Sequence, residues 1–274
     1  MSSSSASTST SSGTKGAHYP VWVTFHRFVA LGDSFTEGVG DPDPRRPNGV
    51  RGWADRVADV LAAQTDDFGY ANLAIRGRKL RAVVAEQVEP ALALEPDLVT
   101  IYAGANDIMR PAVDIDALVV SYDAALSRLL SSGTHLVVFT AFDPGGFPVF
   151  GTMRGRFAVY NELVREAVER HGATLVDFWR MRDYRVPGMW ADDRMHMSTA
   201  GHQRMAMAVL DALGVDHDLV PLDLPPAPRL TKQQRRAQNV DWARTHAAPW
   251  VKRRLTGKSS GDSLDPRYPT LERP

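Results

Sequence analysis

The sequence predicts an α/β fold with a parallel sheet covered by helices on both faces. Three observations carry this. Five short apolar runs alternate with segments whose apolar residues recur at helical spacing. Each run is almost continuously apolar, the pattern of a strand buried on both faces. Strand–helix–strand units join parallel neighbours through crossovers, which puts helices above and below the sheet.

Residues 27–31 form the first strand, in which Phe28-Val29-Ala30-Leu31 runs into the turn-forming Gly32-Asp33-Ser34. Residues 38–52 are dense in Pro and Gly and read as a loop bordering that turn. A helix over 53–64 aligns Trp53, Val57, Val60 and Leu61. The second strand spans 68–73 and a helix follows at 78–88. The third strand, 97–103, opens after Glu95-Pro96 and leads into Gly104-Ala105-Asn106-Asp107. The helix at 114–131 carries Leu118, Tyr122, Ala125 and Leu129 on one face. A fourth strand at 136–140 precedes a Gly/Pro loop over 142–151, a helix over 157–170 and a fifth strand at 174–178. Residues 184–194 are irregular around Pro187-Gly188, and a capped helix spans 198–213.

This divides the chain. Residues 1–20, rich in Ser and Thr, read as disordered; 21–215 form the main domain; 216–230 form a proline-rich linker. Residues 231–258 form a basic segment with a helix over 231–247, and 259–274 read as an unstructured tail. Val240, Ala243, Ala247 and Val251 lie at helical spacing, the expected docking face of the basic helix. The charge is split to match. Residues 229–258 carry a net +8 and residues 1–228 a net −7 within a chain of formal charge zero. At 274 residues the chain is long enough for a sizeable core. It has no cysteine, which excludes disulfides, thiolate metal sites and cysteine nucleophiles. No apolar run reaches the roughly 18 residues of a membrane span. The N-terminus lacks the basic start and apolar centre of a secretion signal, so a cytoplasmic location is expected.

Ser34 stands at the carboxyl end of the first strand, where open α/β sheets bind ligands. A serine hydroxyl needs a base to become a nucleophile. Taken alone, Gly32-Asp33-Ser34 also describes a strand-to-helix turn with a capping serine. Of eight histidines, His18, His26, His135, His171, His217 and His246 fall at strand starts, helix ends or outside the main domain. His196 sits on the loop before the 198–213 helix, three residues after Asp193. That carboxylate can reach Nδ1, fix the tautomer and leave Nε2 for Ser34. His202 is the competing base, but it falls inside the helix and reads as packing or exposed. Asn106, after the third strand, has a side-chain N–H for an oxyanion, or forms an Asx turn. Gly77, after the second strand, can present a backbone N–H closely, or is an ordinary turn. All of these groups follow successive strands, on one edge of one sheet.

The arrangement resembles the SGNH (GDSL-type) hydrolases, especially small bacterial esterases and lipase-like members, over about residues 28–212. Gly32-Asp33-Ser34, Gly77, Gly104-x-Asn106-Asp107 and Asp193-x-x-His196 match the four blocks of that family in order. The resemblance implies a flavodoxin-like three-layer α/β/α sandwich, here with a five-stranded parallel sheet. It implies Ser34 as nucleophile, His196 as base oriented by Asp193, and an oxyanion hole from the Ser34 N–H, the Gly77 N–H and Asn106. It implies no metal and no organic cofactor. Many members carry a glycine directly after the aspartate of the last block; Arg194 stands there instead and faces an anionic substrate or solvent.

The leading expectation is a serine esterase acting on a small-molecule ester. Acyl transfer to an alcohol and sugar deacetylation use the same groups. The basic segment, with Arg235-Arg236, Lys252-Arg253-Arg254, Trp242 and Trp250, mixes charge with aromatic rings as nucleic-acid binders do, but docking on the acidic main domain explains it better, so no nucleic-acid partner is expected. Asp41, Asp43, Asp192 and Asp193 are split between two loops and are assigned no metal. Met195, Met197, Met205 and Met207 read as packing around the last helix. Loops 41–52, 142–151 and 184–190 are expected to frame the pocket, with Phe147, Phe150 and Trp190 touching the substrate.

Overall fold

The computed structural model describes residues 24–146, 150–224, 226 and 228–274. The disorder expected of residues 1–20, the position of Phe147 and the side chain of Phe150 lie outside the described residues. Strand β1 (Arg27–Gly32) passes into the one-turn helix α1 (Ser34–Glu37) and, after a loop, into α2 (Trp53–Ala62). β2 (Gly69–Asn72) leads to α3 (Leu80–Val83), which continues through a π-type turn at Val84–Val88 into α4 (Glu89–Ala93). β3 (Leu98–Tyr102), the short α5 (Ala105–Ile108), α6 (Ile115–Leu130) and β4 (His135–Phe139) follow. α7 (Arg154–His171), β5 (Thr174–Val176) and α8 (Thr199–Leu213) complete the layered unit. Beyond it lie α9 (Lys232–Trp242), a π-type turn at Ala243–Ala247, α10 (Ala248–Thr256) and β6 (Tyr268–Glu272).

The sheet order is β5-β4-β3-β1-β2-β6, with β1 to β5 parallel. The five parallel strands follow the flavodoxin-like order, whose switch point lies between β1 and β3. Their register pairs Gly32 with Tyr102, so the Asp33–Ser34 turn and the Gly104–Asn106 turn leave the sheet side by side. α2 packs on α8, while α6 packs on α7 and α3, giving a helical layer on each face. Phe28, Leu31, Leu98, Phe139 and Phe157 are fully buried between the layers. Under α1 the core is aromatic: Phe35 stacks on Tyr102 at 4.1 Å and touches Trp53, Phe139 and Phe178.

Three expectations are corrected. The sheet has six strands rather than five, and the sixth, β6, is antiparallel to β2. Residues 259–274 are therefore not an unstructured tail. β6 carries Pro269 at the sheet edge and few apolar residues, so no strand pattern announces it. A tertiary contact holds it. The Arg267 guanidinium, with its side chain wholly buried, donates to both Asp55 oxygens at 2.9 and 2.6 Å. It also donates to the carbonyls of Glu37, Arg51 and Pro47 at 3.0, 2.7 and 3.1 Å. Tyr70 donates its hydroxyl to Asp55 at 2.9 Å, so the carboxylate is satisfied from two sides. The basic segment also differs from expectation. Its helix runs past 247 to Thr256, and Val240 and Val251 face outward, each 44% exposed. The docking contacts come from Asn239, Trp242 and Trp250 instead.

Removing one partner of a buried, fully hydrogen-bonded ion pair strands the other charge. Arg267→Met should lower unfolding stability by about 3–5 kcal/mol in urea titrations. A change below about 1 kcal/mol, the range of an exposed pair, would mean the pair does not anchor the C-terminal strand.

Candidate active site

Ser34 is the first residue of α1, directly after Asp33 caps the helix. The Asp33 carbonyl accepts from Thr36 and Glu37, and its Oδ1 accepts from the Phe35 N–H at 3.0 Å. Gly38 ends the turn in the left-handed conformation. This one-turn helix leaves the Ser34 N–H without an acceptor among the described residues, as first-turn donors are. Gln87, on the π-type turn, holds the end of β1 from beneath. Its side chain accepts from Gly32 N at 2.7 Å and donates to Gly32 O at 2.9 Å.

Asn106 stands on α5, beside this turn. Its amide donates to Asp33 Oδ2 at 2.8 Å and to the Arg78 carbonyl at 3.1 Å. Asp33 is 3% exposed, and burial pushes its pKa up to about 7 despite the Phe35 N–H and the nearby His196. Gly77 adopts φ +79°, and any Cβ there would run into Ser259 Oγ. The Gly77 N–H has no acceptor among the described residues. Arg76, just before it, clamps the buried Glu37 through its backbone N–H at 2.6 Å and its guanidinium at 2.5 Å.

The loop before α8 folds around Asp193. Its Oδ1 accepts from the N–H groups of Met195 and His196 at 2.9 and 3.0 Å. Its Oδ2 accepts from His196 Nδ1–H at 2.5 Å. Burial raises the Asp193 pKa, but the hydrogen bond and charge of His196 outweigh it and leave the carboxylate at about 2. The ionised carboxylate can only accept, so the neutral imidazole carries its proton on Nδ1 and turns Nε2 outward as an acceptor. Ser34, Asn106 and His196 line one cleft, with no hydrogen bond between Ser34 and His196 among the described residues.

His202 is packing, not an exposed group. It is fully buried; Nδ1 accepts from Trp53 N at 3.1 Å and Nε2 donates to Val39 O at 3.2 Å. Burial lowers its pKa to about 4. Arg194 is half-buried against α9. It adopts φ +55°, donates to Asn239 Oδ1 at 2.8 Å and lies over the Trp242 ring. Trp242 in turn donates from Nε1 to the Asp193 carbonyl at 2.9 Å, so α9 braces the Asp193–His196 loop. Asp41 pairs with Arg56 and Asp43 with Arg45, apart from Asp193. Met195 and Met197 line the cleft rather than only packing, while Met205 is core.

The cleft has two chambers that share Ser34, Asn106 and His196. One is apolar, walled by Tyr102, Phe142, Phe178, Trp190 and Trp250. The other is wider, polar, and bounded by Gly77, Asp193, α10 and Ser259. Residues 41–52 line neither chamber.

Residues 30–204 match the GDSL-like Lipase/Acylhydrolase family, with the serine block and the Asp193–His196 block at the two ends of the match. The chain belongs to this family. As a GDSL-type hydrolase it acts on ester bonds. It is 27% identical over 208 residues to an acetylxylan esterase of Geobacillus stearothermophilus, covering 69% of this chain and 94% of that one. An alpha/beta hydrolase enzyme from the metagenome of Lake Arreo superposes with TM-score 0.58 at 26% identity, covering 69% of this chain and 95% of its own. The acetylxylan esterase structures from Geobacillus stearothermophilus share the fold at TM-score 0.58 and 24% identity, over 70% of this chain and 95% of theirs.

The GDSL-type blocks do not point to every residue that shapes this site. Gln87 reaches Gly32 across 55 positions and carries no local motif. Trp242 and Trp250 lie beyond the family match, on the segment expected to dock through its aliphatic stripe. Asp33 is visible as a motif letter, but its bridge to Asn106 is a product of strand register.

Asp33 carries a pH consequence. Its folded pKa is raised, so between about 3.8 and about 7 the unfolded chain releases a proton that the folded chain retains. Stability should fall across that window, by up to about 4 kcal/mol at roughly 1.4 kcal/mol per unit. Thermal or urea unfolding of wild type beside Asp33→Asn should show the variant gaining on wild type from pH 4 to pH 8. A pH-independent difference would contradict the assignment.

Proposed function

We propose that the protein cleaves carboxylic esters through an acyl-enzyme on Ser34. The observation that carries the reading is the 2.5 Å Asp193–His196 hydrogen bond, which leaves Nε2 facing the cleft that Ser34 lines. His196 Nε2 takes the Ser34 proton as Oγ bonds to the ester carbonyl carbon. The carbonyl oxygen becomes an oxyanion, received by the Ser34 and Gly77 N–H groups and by one Asn106 N–H turned from the Arg78 carbonyl. Asp193 stabilises the imidazolium without taking its proton. The carbon–alkoxide bond then breaks and His196 protonates the departing alcohol. Water enters, gives a proton to His196 and bonds to the acyl carbon. The Ser34–acyl bond breaks, and Oγ recovers its proton.

A short acyl group on a carbohydrate is favoured by the family relative, which is named an acetylxylan esterase. The aromatic chamber beside Ser34 suits a small acyl group. Acyl transfer to a sugar would use the same steps with an alcohol in place of water.

Hydrolysis of p-nitrophenyl acetate tests this. Ser34→Ala should lose roughly 10⁶-fold in kcat. Asp193→Asn should lose on the order of 10⁴-fold through the wrong imidazole tautomer. Asn106→Ala should lose about 10²–10³-fold. Wild-type turnover by Ser34→Ala would refute the reading.

A further inference from the structure

Two chambers meet at Ser34, one apolar and one polar. The polar chamber is lined by five cations, Arg76, Lys79, Arg110, Arg253 and Lys258, against one carboxylate, Asp193. Asp193 is committed to His196, and Arg76 to the buried Glu37. Lys79, Arg110, Arg253 and Lys258 hold no ion pair among the described residues. Arg110 Nε is buried and lacks a hydrogen-bond partner there. Lys79 and Arg110 share the field of the buried Asp107, so the excess positive charge rests on Arg253 and Lys258. An excess of one sign in a cleft concentrates counter-charged ligands.

The walls come from different parts of the chain. Lys79 and Arg110 follow β2 and β3. Arg253 and Lys258 come from the strap beyond the family match at 30–204, which is held against the Gly77 turn where Ser259 donates to Arg76 O at 3.1 Å. Two of the chamber's cations thus come from outside the matched region.

We propose that this chamber binds an anionic group on the leaving alcohol of the ester, a phosphate, sulfate or carboxylate, with the acyl group in the apolar chamber. The assignment rests on the ester-cleavage reading. The acyl group stays on Ser34 through the first half-reaction, whereas the alcohol must depart before water enters. The wider and more polar chamber suits the departing group, and the apolar one suits the group retained. The strap is then the specificity-determining element, and Arg253 and Lys258 are its ligand contacts.

The test compares p-sulfophenyl acetate with p-methylsulfonylphenyl acetate, which has a neutral leaving group of the same shape. Wild type should favour the sulfonate in kcat/KM, and raised ionic strength should erode that preference. In Arg253→Gln/Lys258→Gln the sulfonate-to-neutral ratio should fall about five- to tenfold. Lys79→Gln, on the opposite wall, should move the ratio the same way. Binding of p-sulfophenyl acetate to the Ser34→Ala protein, followed by calorimetry, reads the chamber without the chemistry. It should weaken by a similar factor when Arg253→Gln/Lys258→Gln is added. An unchanged ratio together with unchanged binding overturns the proposal. Charge-dependent binding with no hydrolysis of either ester by wild type would strike the ester-cleavage reading, and with it the assignment to a leaving alcohol.

Discussion

The Asp33 carboxyl is the joint on which the site is built. One oxygen accepts the Phe35 N–H and starts the turn that carries Ser34; the other accepts the Asn106 amide. Two strand ends that are neighbours in the sheet become neighbours in chemistry through a single side chain. The position is strained electrostatically, because a carboxyl this deeply buried resists ionisation. The fold accepts that cost where the Ser34 turn and the Asn106 amide meet. Gln87 and the Arg76–Glu37 clamp secure the same turn from beneath and from the side.

The second half of the site is less conventional. The layered α/β unit supplies Ser34, Gly77, Asn106, Asp193 and His196, but the segment after α8 finishes the walls. α9 braces the Asp193–His196 loop through Trp242 and Arg194, α10 brings Trp250 to the apolar chamber, and Ser259 closes on Gly77. Gly77 is glycine for two independent reasons: its positive φ and the strap packed where a side chain would begin.

The parallel sheet and the residues now grouped in the cleft were legible because both follow local rules. Apolar runs mark strands, and groups that follow successive parallel strands share one edge of the sheet. β6 was invisible for the opposite reason: Tyr268-Pro269-Thr270-Leu271-Glu272 has no strand pattern, and its place is set by Arg267 reaching Asp55 across 212 positions. The basic helix shows how periodicity misleads. Its aliphatic stripe at Val240 and Val251 points outward, and docking is done by polar and indole contacts that no hydropathy pattern records. The Arg194–Asn239 contact has no local signal either, its partner lying 45 positions on.

The antiparallel edge strand also bears on how the chain is made. Domains form broadly from the N-terminus during synthesis. Here β2 stays an open edge until residues 268–272 emerge, long after β2 itself. Until then a growing polypeptide exposes unpaired backbone along β2 and has no wall opposite Gly77, so a chain stalled or clipped after α8 would be both sticky and unfinished. The wall opposite Gly77 and the cover for β2 therefore arrive together, after the layered unit.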